Sequence, residues 1–255
     1  MATKTAKTAK KEVKSPTSEF VPDVMALLEA GAHFGHERSK RNPKMEKYIF
    51  MHRNRVAIFD LEQTVSQLQK ALDFIYGIAK VPGNEVLFVG TKRQARSIIR
   101  KHAEEIGQPY VTKRWLGGTL TNFATIQKSI EKLDELKKNE GTPAFEKITK
   151  KERAVHKKEI ERLEEVLEGI KTLRRLPALV VAVGAHDERL AVKEAKRMGI
   201  PVVGIADTNA DPSQVTHAIP ANDDAIRSIE AIMTAISKTI TKAKKSSQDI
   251  PKLVQ

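Results

Sequence analysis

The sequence predicts an α/β fold: a parallel sheet with helices on both faces, interrupted once by an inserted, protruding pair of helices. Three observations lead there. Residues 85–89, 178–183 and 202–206 are apolar almost throughout, as strands buried on both faces must be. Amphipathic helical stretches separate them, so the strands run parallel through crossover connections. Between Val111 and Ala178 the alternation stops, and two helical apolar stripes fill the gap.

Taken in order, Pro22, Asp23 and Gly31 bracket a short helix whose apolar stripe is Val24, Leu27 and Leu28. Residues 48–51 and 56–59 read as short strands, with Arg53-Asn54 as the turn between them. From Asp60, a natural N-cap, Leu61, Val65, Leu68, Leu72 and Ile75 recur at helical steps until Pro82-Gly83. A strand over 85–89, a helix over 92–107 and a short strand at Tyr110-Val111 follow. After the gap come a strand over 178–183, a helix over 187–199, strands over 202–206 and 217–219, and a last helix over 222–240 with Asn222 as N-cap.

Within the gap, Ile126, Ile130, Leu133 and Leu136 form one stripe, and Ile160, Leu163, Leu167 and Ile170 another, both at the three- and four-residue steps of a coiled-coil seam. Glu140-Gly141-Thr142-Pro143 marks the turn, and Thr149 with Glu152 makes a capping box for the second helix. More than half of residues 128–175 are charged. So narrow and charged a pair predicts an antiparallel coiled-coil hairpin, inserted over 122–175 and projecting from the sheet.

The chain has 255 residues and a formal net charge of +13. Residues 1–16, with Lys4, Lys7, Lys10, Lys11 and Lys14 against Glu12, read as a disordered basic arm. Residues 17–240 are the α/β domain, and 241–255 a basic C-terminal tail. The absence of cysteine excludes disulfides, thiolate zinc sites and cysteine nucleophiles. No apolar run approaches a membrane span, and the first twenty residues lack the apolar core of a secretory signal. A soluble cytoplasmic protein is expected, and its cationic surplus points to a polyanionic partner, nucleic acid first.

In a parallel sheet, chemistry collects at the loops beyond the strand C-termini. Here two are basic, Gly90-Thr91-Lys92-Arg93 and Thr112-Lys113-Arg114-Trp115, and two acidic, Gly184-Ala185-His186-Asp187-Glu188 and Asp207-Thr208-Asn209-Ala210-Asp211. Gly90-Thr91-Lys92 is only a fragment of a phosphate-binding loop. Gly117-Gly118, with Thr119, Thr121 and Asn122 at a helix start, resembles an anion site. Trp115, the only tryptophan, is either a core anchor or a base-stacking face. His33 and His36 lack a third ligand nearby in sequence, and Asp207, Asn209 and Asp211 lack the downstream glutamate of a calcium loop, where Ala218 stands. No metal and no cofactor are expected. No Ser sits in a nucleophile elbow, and no enzyme is predicted. Two rival readings can be framed: a nucleotide-dependent enzyme using Lys92, and a metal-assisted hydrolase using His33, His36 and the acidic loops.

The basic clusters are better populated. One spans His33 to Arg55 and the other Gly90 to Trp115. The residues predicted to meet RNA are His36, Arg38, Lys40, Arg41, Lys44, Lys92, Arg93, Arg96, Lys113, Arg114 and Trp115, with Lys137, Lys138, Lys150 and Lys151 on the hairpin.

The block from Leu27 to His36 (Leu-Leu-Glu-Ala-Gly-Ala-His-Phe-Gly-His), Asn42-Pro43-Lys44-Met45, Val89-Gly90-Thr91-Lys92-Arg93-Gln94-Ala95 and the run from Arg114-Trp115-Leu116-Gly117-Gly118 to Phe123 resemble the bacterial-type small-ribosomal-subunit protein S-two family. So do Gly199-Ile200-Pro201-Val202-Val203, Asp207-Thr208-Asn209 and Asn222-Asp223-Asp224-Ala225-Ile226-Arg227-Ser228-Ile229. The resemblance implies a flavodoxin-like, doubly wound domain with a protruding hairpin. It implies a structural, non-catalytic place on the ribosome, contacting small-subunit ribosomal RNA and neighbouring ribosomal proteins, the S-one protein among them. It implies neither a homo-oligomer nor a membrane partner. Three positions depart from the family's habit: Arg41 where Trp is common, Gly184-Ala185 where Asp-Pro is frequent, and Ala210 where Cys often stands.

Overall fold

The structure, a computed structural model, describes residues 15–140 and 149–248. The predicted arm through residue 14, the turn over 141–148 and residues 249–255 lie outside the described residues.

Among the described residues, eight strands form two sheets. Strands β1 (Phe34–Glu37), β2 (Ile49–Arg53) and β3 (Val56–Phe59) make a three-stranded antiparallel sheet in the order β1-β3-β2. Strands β4 (Val86–Val89), β5 (Tyr110–Val111), β6 (Leu179–Val183), β7 (Val202–Ala206) and β8 (His217–Pro220) make a parallel sheet in the order β5-β4-β6-β7-β8. Counted within that sheet, the order is 2-1-3-4-5, that of a flavodoxin-like fold with its switch point between β4 and β6. β1 has no counterpart in the sequence reading. It is a short edge strand with no fully buried residue, so no apolar run announces it.

Alternate strand residues feed two cores. Val86, Phe88, Val181, Val183, Val203, Ile205 and Ile219 pack under helices α1 (Val24–Glu29), α2 (Leu61–Ala79), α3 (Arg93–Glu105) and α7 (Ile226–Gln248). On the other face, Leu87, Val89, Val180, Ala182, Val202 and Ala206 pack under α4 (Phe123–Glu140), α5 (Lys150–Leu167) and α6 (Arg189–Arg197). Strands β4, β6 and β7 of the parallel sheet therefore bury both of their faces, which accounts for the continuous apolar runs.

The caps explain where helices begin. Asp23 accepts from Ala26 N at 2.7 Å, and Asp60 from Glu62 N at 3.1 Å. Thr149 and Glu152 form the predicted capping box. Of the predicted α1 stripe only Leu27 is buried; Val24 and Leu28 are exposed. Asn222 does not cap α7 directly, since the helix starts at Ile226. Its side chain accepts from Asp224 N and Ala225 N and shapes the entry. α7 also runs past the predicted boundary at residue 240. Ala243 is buried, and Lys242 Nζ binds Glu19 at 2.6 Å and Pro16 O at 2.8 Å.

Between β5 and β6, α4 and α5 pack on one another, with ion pairs from Lys132 to Glu159 (2.6 Å) and from Lys137 to Glu164. Their stripe is not separate from the sheet: Ile126, Ile130, Leu133, Ile160 and Leu167 are buried in the core under β4 and β6. Among the described residues, no helix is long and apolar enough to cross a membrane.

Candidate functional site

The carboxyl edge of the parallel sheet gathers polar side chains from five segments. Lys92 follows β4, Asp187 and Glu188 follow β6, and Asp207 follows β7. Asp223 and Asp224 lie between β8 and α7, while β1 brings in His36. β1 can approach because position 35 is glycine. A Cβ there would lie 2.5 Å from Thr208 Cγ2. With that space open, His36 N donates to Thr208 Oγ1 at 2.9 Å.

The predicted basic loop after β4 meets the predicted acidic loop after β6 and the two neutralise one another, whereas the other basic loop, with Lys113, turns to Glu165 instead. Lys92 Nζ lies 2.5 Å from Asp223 Oδ1, 2.9 Å from Asp224 Oδ1 and 3.1 Å from Asp187 Oδ2. Burial alone would lower its pKa, but these carboxylates, Asp223 foremost, raise it. Burial and the nearby Asp207 push the Asp223 carboxyl up to about 7 against the pull of Lys92. His36 Nδ1 stands 3.1 Å from Asp207 Oδ1, and Nε2 stands 3.5 Å from Asp224 Oδ2. The Asp207 contact raises the imidazole pKa, opposed by burial. At the switch point, Glu188 Oε1 accepts from Thr91 N at 2.5 Å and Thr91 Oγ1 at 2.7 Å. Burial raises the Glu188 pKa despite these donors. The crevice where such a sheet often takes a phosphate is thus lined by the protein's own carboxylates.

The predicted anion site exists, and its anion is internal. Glu194 of α6 accepts from Trp115 Nε1 at 3.0 Å and Gly118 N at 2.8 Å on one oxygen. Its other oxygen accepts from Leu120 N, Thr121 N and Thr121 Oγ1 at 3.1–3.2 Å. Burial pushes its pKa up, but the donors outweigh it and hold the carboxyl below the usual range. Trp115 is 7% exposed, so its ring is a core anchor. Nothing near Trp115 in sequence could have revealed Glu194 as its partner.

The basic residues divide into two groups. Lys92 is enclosed as described; Lys44 binds Asp211 at 2.8 Å and Lys113 binds Glu165 at 3.1 Å. Arg41 pairs with Glu46, Lys137 with Glu164, and Arg96 Nε donates to Thr91 O at 2.8 Å. By contrast Arg38, Lys40, Arg93, Arg114, Lys138, Lys150 and Lys151 are exposed, with no ion pair among the described residues. Of the residues in the rival metal reading, His36 and Asp207 do come together, but they are joined by Asp223 and Asp224, which lie outside the predicted acidic loops. His36, Asp207, Asp223 and Asp224 bring ligand-type atoms within 4.8 Å of one another, whereas His33 is not among them.

Residues 27–243 match the model of the family described as Ribosomal protein S2.

Proposed function

The chain belongs to the ribosomal protein S2 family, and from that premise we propose that it binds folded small-subunit ribosomal RNA and neighbouring ribosomal proteins as a non-catalytic scaffold. The family makes it a ribosomal structural protein of the small subunit, acting in translation. The family match over residues 27–243 is the observation that carries the reading.

The distribution of cations supports the finer part. A phosphate contact needs a cation that is not already neutralised. Arg38, Lys40, Arg93 and Arg114 meet that condition on the α/β domain, and Lys138, Lys150 and Lys151 on the helix pair. Lys44, Lys92, Arg96, Lys113 and Lys137 have internal partners and serve the fold first. The helix pair acts as the predicted antiparallel hairpin, rooted in the sheet's core and carrying its cations outward. The crevice at the switch point, filled by Glu188 and the carboxylates around Lys92, favours a scaffold over a nucleotide enzyme. The chain works as a single copy in the ribosome of the cytoplasm, with other small-subunit proteins as its partners, the S-one protein among them.

Sedimentation tests this. Tagged protein expressed in cells should co-migrate with small subunits through a gradient at moderate salt. Persistent recovery only at the top of the gradient would overturn the reading.

A further inference from the structure

We propose that a cavity at the amino edge of the parallel sheet takes the phosphate of one unpaired RNA nucleotide, held by Arg174, Arg175 and Lys244. The proposal rests on the reading of the chain as an RNA-binding scaffold and adds a contact surface at the edge opposite the switch-point crevice. The cavity has a volume of about 690 Å³. It lies where the chain enters three strands: Glu85 precedes β4, Gly107 precedes β5, and Arg174 and Arg175 precede β6. The end of α7 adds Lys244, and Val81 and Pro82 form an apolar lip.

The cations of this cavity lack anions. Lys244 is half-buried, and its Nζ donates to Ile106 O at 3.0 Å. Arg175 donates to Gly83 O. Gly83, at a φ of 79°, leaves the guanidinium room, since a Cβ there would collide with it. Among the described residues, Arg174, Arg175 and Lys244 make no ion pair. Lys44, Lys92 and Lys113 differ, each being held by a carboxylate. Glu85 supplies the one carboxylate of the lining. Its charge does not offset the burial that lowers the Lys244 pKa. A partly desolvated cation that faces a carbonyl alone is left short of counter-charge, and an anion in the cavity supplies it.

The shape selects the kind of anion. A duplex backbone suits a flat cationic face, whereas cations set inside a cavity are reached by a nucleotide splayed out of its stack. Arg offers a phosphate paired N–H donors, and Lys offers a point charge. Val81, 51% exposed, gives the sugar or base an apolar surface beside them. The volume is more than a lone phosphate fills and falls in the range of small-ligand sites.

The test uses the full-length protein, free and assembled. Titrated calorimetrically with adenosine 5′-monophosphate, the free protein should bind one nucleotide saturably; adenosine should not bind. Arg174→Gln and Lys244→Gln should each weaken nucleotide binding roughly tenfold, and Arg93→Gln, at the carboxyl edge, should leave it unchanged. If Lys244→Gln does not fold, the exposed Arg174 decides. In isolated small subunits, Lys244 should resist an amine-acylating reagent, and ribonuclease digestion should restore its reactivity. No saturable binding, or binding that survives both substitutions, would overturn the site. Nucleotide binding with Lys244 reactive in intact subunits would make a free nucleotide the ligand and overturn the RNA assignment. Protection that persists after ribonuclease would assign the cavity to a neighbouring protein and overturn it equally. Each of these failures leaves co-migration with small subunits intact, whereas loss of co-migration defeats the scaffold reading itself.

Discussion

At the residue scale, Glu194 shows what the local sequence can and cannot say. Gly117-Gly118 followed by Thr119 and Thr121 reads correctly as a place that wants an anion. The anion is a carboxylate on α6, which only the fold could deliver to Trp115 Nε1 and the three backbone amides. Glu194→Gln keeps the shape but removes the charge and turns one acceptor into a donor facing donors. A loss of about 1–3 kcal/mol in stability is expected, read as a lower urea midpoint. The pH dependence has a definite sign. The folded Glu194 carboxyl is held below its ordinary range, so its contribution is complete above the unfolded pKa and disappears as pH falls through the folded value. Stability measured from neutral pH downward should therefore fall less steeply in the Gln variant than in the parent. Equal slopes would mean that Glu194 does not titrate differently in the two states.

At the element scale, the β2–β3 hairpin was legible and its turn was not placed correctly. The sequence predicts strands over 48–51 and 56–59, with Arg53-Asn54 between them. The loop is instead Asn54-Arg55, with φ of 49° and 66°. Two positive φ values in a two-residue loop make the type I′ turn that matches the strand twist. Asn tolerates that conformation, but Arg does not favour it. The missed residue is the one whose type argues against its conformation. Arg55→Gly should stabilise the protein by about 1 kcal/mol, seen as a higher thermal midpoint. A decrease would mean that the Arg55 side chain makes a compensating contact. The last helix runs past its predicted end at residue 240 for a related reason. A lysine-rich end looks like a solvated tail, yet Lys242 is held by Glu19 and Pro16 O and Ala243 is buried, so the helix continues.

At the scale of the whole molecule, the alternation of apolar runs was enough to read a parallel sheet with helices on both faces, because burial on both sides leaves its mark strand by strand. Charge is different. A net charge of +13 is legible in composition, but which cations are free is set by pairs far apart in sequence, such as Lys92 with Asp223 or Lys44 with Asp211. RNA affinity should follow the free set. Replacing Arg93 and Arg114 together by Gln should weaken binding to small-subunit RNA. It should also flatten the slope of log K against log salt by about 1–2, since each lost phosphate contact removes roughly one released counterion. Lys92→Gln should leave that slope unchanged, because the ammonium is held by Asp187, Asp223 and Asp224. It should instead lower the unfolding midpoint, since the carboxylates of a buried cluster lose their cation. The two substitutions therefore separate cations that bind the partner from cations that build the scaffold. A flattened slope with Lys92→Gln, or an unchanged one with the Arg93 and Arg114 pair, would reverse that assignment.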